Sequence, residues 1–288
     1  MAYNPSLSKS SRIGMASLAV LIASAALCGG SIFAAQPPSP PDFATDDVTS
    51  WLPVGDDYLP PASGPGPITF DPAHPYIPNF TGKQPTYRVA DLTNPILQPW
   101  AAEQMRKANE AVLAGHVPFR ARESCWPPGV PTFLVYALAT PLYFLQTRNM
   151  VAIFYQGGPE LRHVYMDVPH SAHPALSWYG ESVGHYEGDS LVVDTIGLNE
   201  RTFVDNYRTP HTSQLHVVER YRLTDGGNML EVAFQVEDPG AFTTSWSAIQ
   251  RFRRVHRAPM SELPCVESTV HYFNYETFPV PIADKPDF

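Results

Sequence analysis

From Pro131 onward the chain runs in short stretches where apolar and polar residues alternate, broken by turn residues. Alternation sends successive side chains to opposite faces, so each stretch predicts a half-buried strand. Strands are predicted near 141–147 (PLYFLQT), 150–156 (MVAIFYQ), 162–167 (RHVYMD), 178–186 (WYGESVGHY) and 190–196 (SLVVDTI). Further runs lie at 214–224 (QLHVVERYRLT), 229–237 (MLEVAFQVE) and 247–255 (SAIQRFRRV), with another at 268–275. Arg148-Asn149, Gly188-Asp189 and Gly226-Gly227 supply tight turns between neighbours. Strands joined so closely pair antiparallel. Eight or nine of them favour closure, because an open meander leaves edges unpaired. The expected fold is mainly β: an antiparallel up-and-down β-barrel, or a strongly coiled sandwich. A barrel of that size has an interior able to hold one small ligand.

Ahead of the strands, NPILQPWAAEQMRKANEAVLAGHVPF predicts the one helix. Asn94 can cap it, Pro95 suits its first position and Gly115 its end. Ile96, Trp100, Met105, Ala108 and Val112 form the expected buried stripe. Residues 36–80 are crowded with proline, which fixes φ and removes donors, so they predict an extended arm. Trp51, Tyr58, Phe70 and Tyr76 indicate that parts of that arm pack.

The first residues change the compartment. Lys9 and Arg12 precede an apolar run from Ile13 to Leu27, and small residues follow at Ala34 and Ala35. This is the layout of a secretory signal peptide. A retained anchor is the competing reading, but the run is short for a bilayer and Gly29-Gly30 interrupts it. The predicted organisation is a signal over 1–35, the arm over 36–80 and a helix-plus-barrel domain over 81–288. The expected location is the periplasm or the exterior, with no stable membrane insertion after signal removal. Cys125 and Cys265 then remain, and an oxidising compartment suggests that they form a disulfide, which would contribute about 3–5 kcal/mol.

Composition excludes several classes. The chain has 288 residues, 44% hydrophobic and 16% charged, enough apolar material for a core. Net charge is −9, so no nucleic-acid partner is expected. Gly180, Ser182 and Gly184 have Gly-x-Ser-x-Gly spacing but fall within a predicted strand rather than at a strand-to-helix elbow, there is no phosphate loop, and no organic cofactor is expected.

Candidate chemistry follows from where polar residues fall on the strands. In QLHVVERYRL one face carries Leu215, Val217, Glu219, Tyr221 and Leu223, which puts Glu219 among apolar neighbours. A buried carboxylate is costly unless paired or protonated. Glu219 is therefore either an acid/base group or the structural partner of an inward arginine or tyrosine hydroxyl. In SLVVDTI both faces are apolar enough to admit Asp194 inside. Tyr179, Glu181, Val183 and His185 share a face, and the glycines around them suggest close backbone approach. His163, Tyr165 and Asp167 share another face, with His170 and His173 on the following loop. His211 precedes the Glu219 strand. No pair shows a metalloenzyme spacing such as His-Glu-x-x-His, so no metal is expected.

The stretches GESVGHYEGDSLVVDTIGL, LHVVERYRL and VEDPGAFTTSWS resemble a large, mostly uncharacterised family of exported bacterial proteins. Its signature is Gly-x-Ser-x-Gly-x-Trp-Glu-Gly-Asp-Thr-Leu-Val-Val-Asp-Thr. The likeness runs from CWPPGVP at Cys125 to Cys265-Val266-Glu267. Glu187, Gly188, Asp189 and Asp194 match the signature, and His211, His216, Glu219 and Arg220 match the downstream motif. Tyr186, Ser190 and Gly197-Leu198 depart from it, standing where the family has Trp, Thr and Asn-Phe. The resemblance implies a calycin-like, lipocalin-like barrel and no general activity.

The expected function is an exported barrel enzyme of lyase, isomerase or hydrolase type. It would do cofactor-independent acid/base chemistry on a small apolar or aromatic compound. Glu219 would act as base or acid and His211 as its proton partner. Asp194 or Asp167 would orient that histidine, and Tyr165 or Tyr221 would donate to an oxyanion. His163, His185 and Tyr179 complete the expected ligand contacts. The alternative is a non-catalytic carrier of a small hydrophobic ligand. A third reading, an envelope-interaction protein, would use the Pro-rich arm as its contact.

Overall fold

The computed structural model describes residues 39–46, 49–78, 81–119, 121, 125–136, 140–156 and 161–256. Nine strands close into a barrel. They are β1 (Thr49–Pro53), β2 (Leu142–Gln146), β3 (Met150–Tyr155), β4 (Leu161–Met166), β5 (Glu181–Glu187), β6 (Ser190–Ile196), β7 (His216–Thr224), β8 (Met229–Glu237) and β9 (Trp246–His256). Each pairs with its sequence neighbours, and β1 pairs with β9 to seal the wall. The predicted run at 268–275 lies outside the described residues, as does Cys265.

Two features depart from the expected up-and-down meander. The closing strand β1 comes from inside the Pro-rich lead, and all five of its residues are buried. It meets β9 along its whole length, Thr49 opposite His256 and Pro53 opposite Phe252. The second departure is a parallel pair, β4 with β5, where Val164 faces Ser182 and Met166 faces Gly184. An odd number of strands cannot close with every neighbour antiparallel, so a nine-strand barrel needs such a seam. Parallel neighbours require a crossover rather than a tight turn. Residues 167–180 supply it, running back along the outer wall as a strap.

The seam is tight. A Cβ on Gly184 would lie 2.7 Å from Val164 Cγ1 and 3.1 Å from the Val192 carbonyl. Gly180, where the strap turns into β5, has φ +64° and leaves 2.3 Å between a Cβ and the Ile196 carbonyl. Close backbone approach, expected from the glycines, is what both positions show. The predicted strand at 178–186 therefore starts three residues late, at Glu181.

The inward faces are apolar, with Leu142, Phe144, Val151, Ile153, Val164, Leu191, Val193, Val217, Leu230, Val232, Val236 and Phe252 all buried. The tight-turn end of the barrel is stoppered by the lead. Phe43 is fully buried and stacks near Phe144 (4.7 Å) and Tyr221 (6.4 Å). Its N–H donates to Gln146 Oε1 (2.7 Å), and Trp51 Nε1 donates to its carbonyl (2.9 Å).

The long connections gather at the other end. Among them is helix α1 (Pro99–Leu113), which starts at Pro99 rather than Pro95. Asn94, the expected cap, instead uses its amide on the Gly66 and Pro67 carbonyls. The helix ends as expected at Gly115, φ +93°. His116 N donates to the Ala111 carbonyl and Gly115 N to that of Val112, the paired bonds of a Schellman stop. The buried stripe is Ala101, Met105, Asn109 and Val112, and Trp100 stays exposed. Asn109 docks the helix: its Nδ2 donates to the Ala90 carbonyl, and its Oδ1 accepts from Ala90 N, both at 2.9 Å.

Candidate functional site

Glu219 points into the barrel, as its strand face predicts, and is fully buried. Opposite it stands Arg162 of β4, also buried. Arg162 Nη1 donates to Glu219 Oε1 (3.0 Å) and Nη2 to Oε2 (2.5 Å), a two-pronged ion pair. Tyr221 hydroxyl donates to the same Oε1 (2.9 Å). The remaining guanidinium donors reach Ser182 Oγ (3.1 Å) and Thr195 Oγ1 (2.7 Å). Burial and the Glu219 charge push the Tyr221 hydroxyl well above its ordinary pKa, so it remains a donor. Burial opposes the Arg162 charge, but Glu219 outweighs it and holds the guanidinium pKa high. Both carboxylate oxygens are thus engaged inside the barrel by groups that stay protonated. The structural alternative foreseen for Glu219, an inward arginine with a tyrosine hydroxyl, is the arrangement present.

Arg162 was not among the expected site residues, because the conspicuous polar side chains His163 and Tyr165 lie on the other face of its strand. In RHVYMD the buried positions are Arg162, Val164 and Met166, and His163 and Tyr165 project outward. The available signal was an arginine alternating with aliphatic residues, the mirror of Glu219 in its own strand.

His211 is buried in the loop before β7 but shares no hydrogen bond with Glu219. Its Nδ1 contacts the Thr212 carbonyl (3.0 Å), which can only accept, so Nδ1 carries the hydrogen. Its Nε2 then accepts from Thr202 Oγ1 (2.8 Å). Desolvation lowers its pKa. The expected Glu219–His211 partnership is corrected: both ring nitrogens of His211 are spent locally.

Asp194 faces outward, not inward, because the buried face of β6 is Leu191, Val193 and Thr195, set against Tyr221, Glu219 and Val217. On the outer wall its Oδ1 meets two histidines. His170 Nε2, from the strap, lies 3.1 Å away, and His216 Nε2, from β7, lies 2.8 Å away. The other nitrogen of His170 faces Glu181 Oε1 of β5 (3.0 Å). His216 Nδ1 lies 3.8 Å from Glu237 Oε2 of β8. A chain of alternating carboxylates and imidazoles thus runs from Glu181 to Glu237 across four strands and the strap. Its side chains are part-exposed, 22% for His170, 40% for Asp194 and 34% for His216. Glu181 is fixed by Ser171, whose hydroxyl and backbone N–H donate to it (2.5 and 2.7 Å) and hold its carboxyl below the usual range.

His170 thus presents one ring nitrogen to each of two carboxylates from separate strands. Imidazole and carboxylate are the side chains most used in general acid/base chemistry, and here they alternate along one part-exposed wall. Asp194 was expected to orient His211; the histidines it meets are His170 and His216 instead. Among the described residues, no group of three or more His, Cys, Asp or Glu is arranged to hold a metal ion.

The remaining expected contacts scatter. Tyr165 is exposed, and Asp167 sits just past β4 with φ +56°. His163 is exposed with its ring 6.4 Å from Tyr165. His185 is exposed and paired with Glu187 (2.8 Å), which also takes Arg220 (2.8 Å). Tyr179 packs on Phe133 at 5.6 Å, and Tyr221 belongs to the Glu219 pair.

No family model, curated protein or solved structure matches this chain. No helix among the described residues is long and apolar enough to cross a membrane.

Proposed function

We propose that this chain is an exported β-barrel enzyme whose cofactor-independent acid/base chemistry resides on the outer wall, at His170, Asp194 and His216. The observation that carries the proposal is one carboxylate oxygen of Asp194 within hydrogen-bond reach of Nε2 of two part-exposed histidines from separate elements. The neighbouring carboxylates give each ring a second partner, so protons can be taken up and passed on. The Arg162–Glu219 pair is assigned to the fold. Export with signal cleavage, the Cys125–Cys265 bridge and membership of the exported-protein family belong to the same proposal.

Two considerations rank this above the carrier alternative. A carrier of a hydrophobic ligand needs open interior, and at the level of Glu219 the interior holds Arg162, Tyr221, Phe144 and Phe43. The outer-wall groups, by contrast, are reachable by a substrate. The substrate class expected is a small compound with an exchangeable or transferable proton, of lyase, isomerase or hydrolase type.

The test is metabolite profiling of a small-molecule cell extract incubated with the full secreted chain or with Asp194→Asn. The expected result is a set of compounds consumed by the native chain and spared by the variant, with both equally folded. No consumption by the native chain, or equal consumption by both, contradicts the proposal.

A further inference from the structure

At the tight-turn end of the barrel, the β2–β3 turn and the end of β4 enclose a surface recess of about 520 Å³. Arg148, Asn149, Tyr165, Met166, Asp167 and Val168 line it. That volume lies in the range of small-molecule sites. The polar lining is unspent: the side chains of Arg148, Asn149, Tyr165 and Asp167 have no hydrogen-bond or ion-pair partner among the described residues. The backbone around them, by contrast, is fixed. Met166 N donates to the Asn149 carbonyl (2.9 Å), and Asp167 N donates to that of Gly184 (2.8 Å).

Arg148 and Asp167 carry opposite charges on one recess and do not pair with each other. Both are exposed, so each charge is open to a ligand that carries its complement. Asp167 also holds a left-handed conformation, φ +56°, at the strand exit. Aspartate adopts this conformation more readily than most residues, and it turns the chain out of the strand at the recess.

We infer that this recess binds a small zwitterion of the free amino acid class. The carboxylate would lie on the Arg148 guanidinium, which presents a fork matched to it. The ammonium would lie on Asp167, with Asn149 and the Tyr165 hydroxyl completing the hydrogen bonds. An apolar side group would rest on Met166, Val168 and the Tyr165 ring. A simple anion fits less well, because Asp167 repels it, and a simple cation is repelled by Arg148. The inference uses no residue of the His170–Asp194–His216 group and stands or falls separately.

The test is calorimetric titration of the full secreted chain with phenylalanine and leucine. Each is compared with its carboxamide, which lacks the carboxylate, and its N-acetyl form, which lacks the ammonium. The free amino acids are expected to bind, and each blocked form to bind about tenfold more weakly or less. Arg148→Gln should abolish the difference between acid and amide, and Asp167→Asn the difference between free and acetylated amine. Asparagine tolerates the left-handed backbone at that position, so the second variant keeps the loop. Absence of saturable binding by the free amino acids overturns the inference. So does equal binding of the blocked forms, or unchanged preference in both variants.

Discussion

Arg162 of β4 and Glu219 of β7 face each other across the barrel interior as a two-pronged ion pair with no solvent exposure at either side chain. Two charges so placed lose their hydration, and only their mutual bonds and those from Tyr221, Ser182 and Thr195 offset the loss. Removing one partner strands the other. Glu219→Gln should therefore lower stability by about 3–5 kcal/mol, read as a shifted urea midpoint. The double change Arg162→Met with Glu219→Leu should recover most of that loss, because a matched apolar pair needs no hydration to be offset. A double variant as unstable as the single one would show that the site depends on charge for more than pairing.

The Glu219 face was legible because alternation in LHVVERYRL leaves a single carboxylate among aliphatic residues. Its partner was not, since arginine is ordinarily a surface residue and RHVYMD drew the eye to histidine, tyrosine and aspartate on the other side. The chemistry on the outer wall was legible only in part. Asp194 and the histidines were visible, but their meeting depends on the strap crossing β5 and β6, and a crossover path leaves no periodic mark in sequence. Strand β1 was hidden for another reason: five residues among prolines form no pattern, and their partner β9 lies about 200 residues away, Thr49 against His256.

His211 gives the fold a pH dependence with a definite sign. Desolvation lowers its pKa from the ordinary 6.5, so the unfolded chain takes up the proton first. Stability contributed at neutral pH is lost as pH falls below about 6.5 toward the folded value. Buried Asp205 works the other way, since desolvation raises its carboxyl and lowering the pH relieves that cost. The native chain minus His211→Gln isolates the histidine. The native chain should lose stability more steeply below pH 6.5 than the variant, by up to about 1.4 kcal/mol per pH unit. Parallel curves would refute the assignment.

The strap is clasped to the barrel by Glu181, which accepts from Ser171 twice and faces His170. Glu181→Gln should speed amide hydrogen exchange in residues 169–173 and leave β6 to β8 as protected as before. Unchanged exchange in the strap would mean that Gly180, Gly197 and the Ser177 backbone bonds alone hold it in place.

Asn109 ties helix α1 to Ala90 through both ends of its amide. Asn109→Ala strands the Ala90 N–H and carbonyl in a buried setting, at about 2–4 kcal/mol. Denaturant unfolding should show that loss. A change under about 0.5 kcal/mol, the size of an ordinary surface substitution, would mean that water replaces the amide.

The buried ion pair lies inside the barrel, and the group to which we assign the chemistry lies apart from it on the outer wall. The most direct measurement is extract turnover by two variants side by side, Arg162→Met with Glu219→Leu, and His170→Gln with His216→Gln. The first is expected to keep the native pattern of consumed compounds, and the second to abolish it while remaining folded. Loss of turnover in the folded interior variant, with turnover intact in the outer-wall variant, would contradict it.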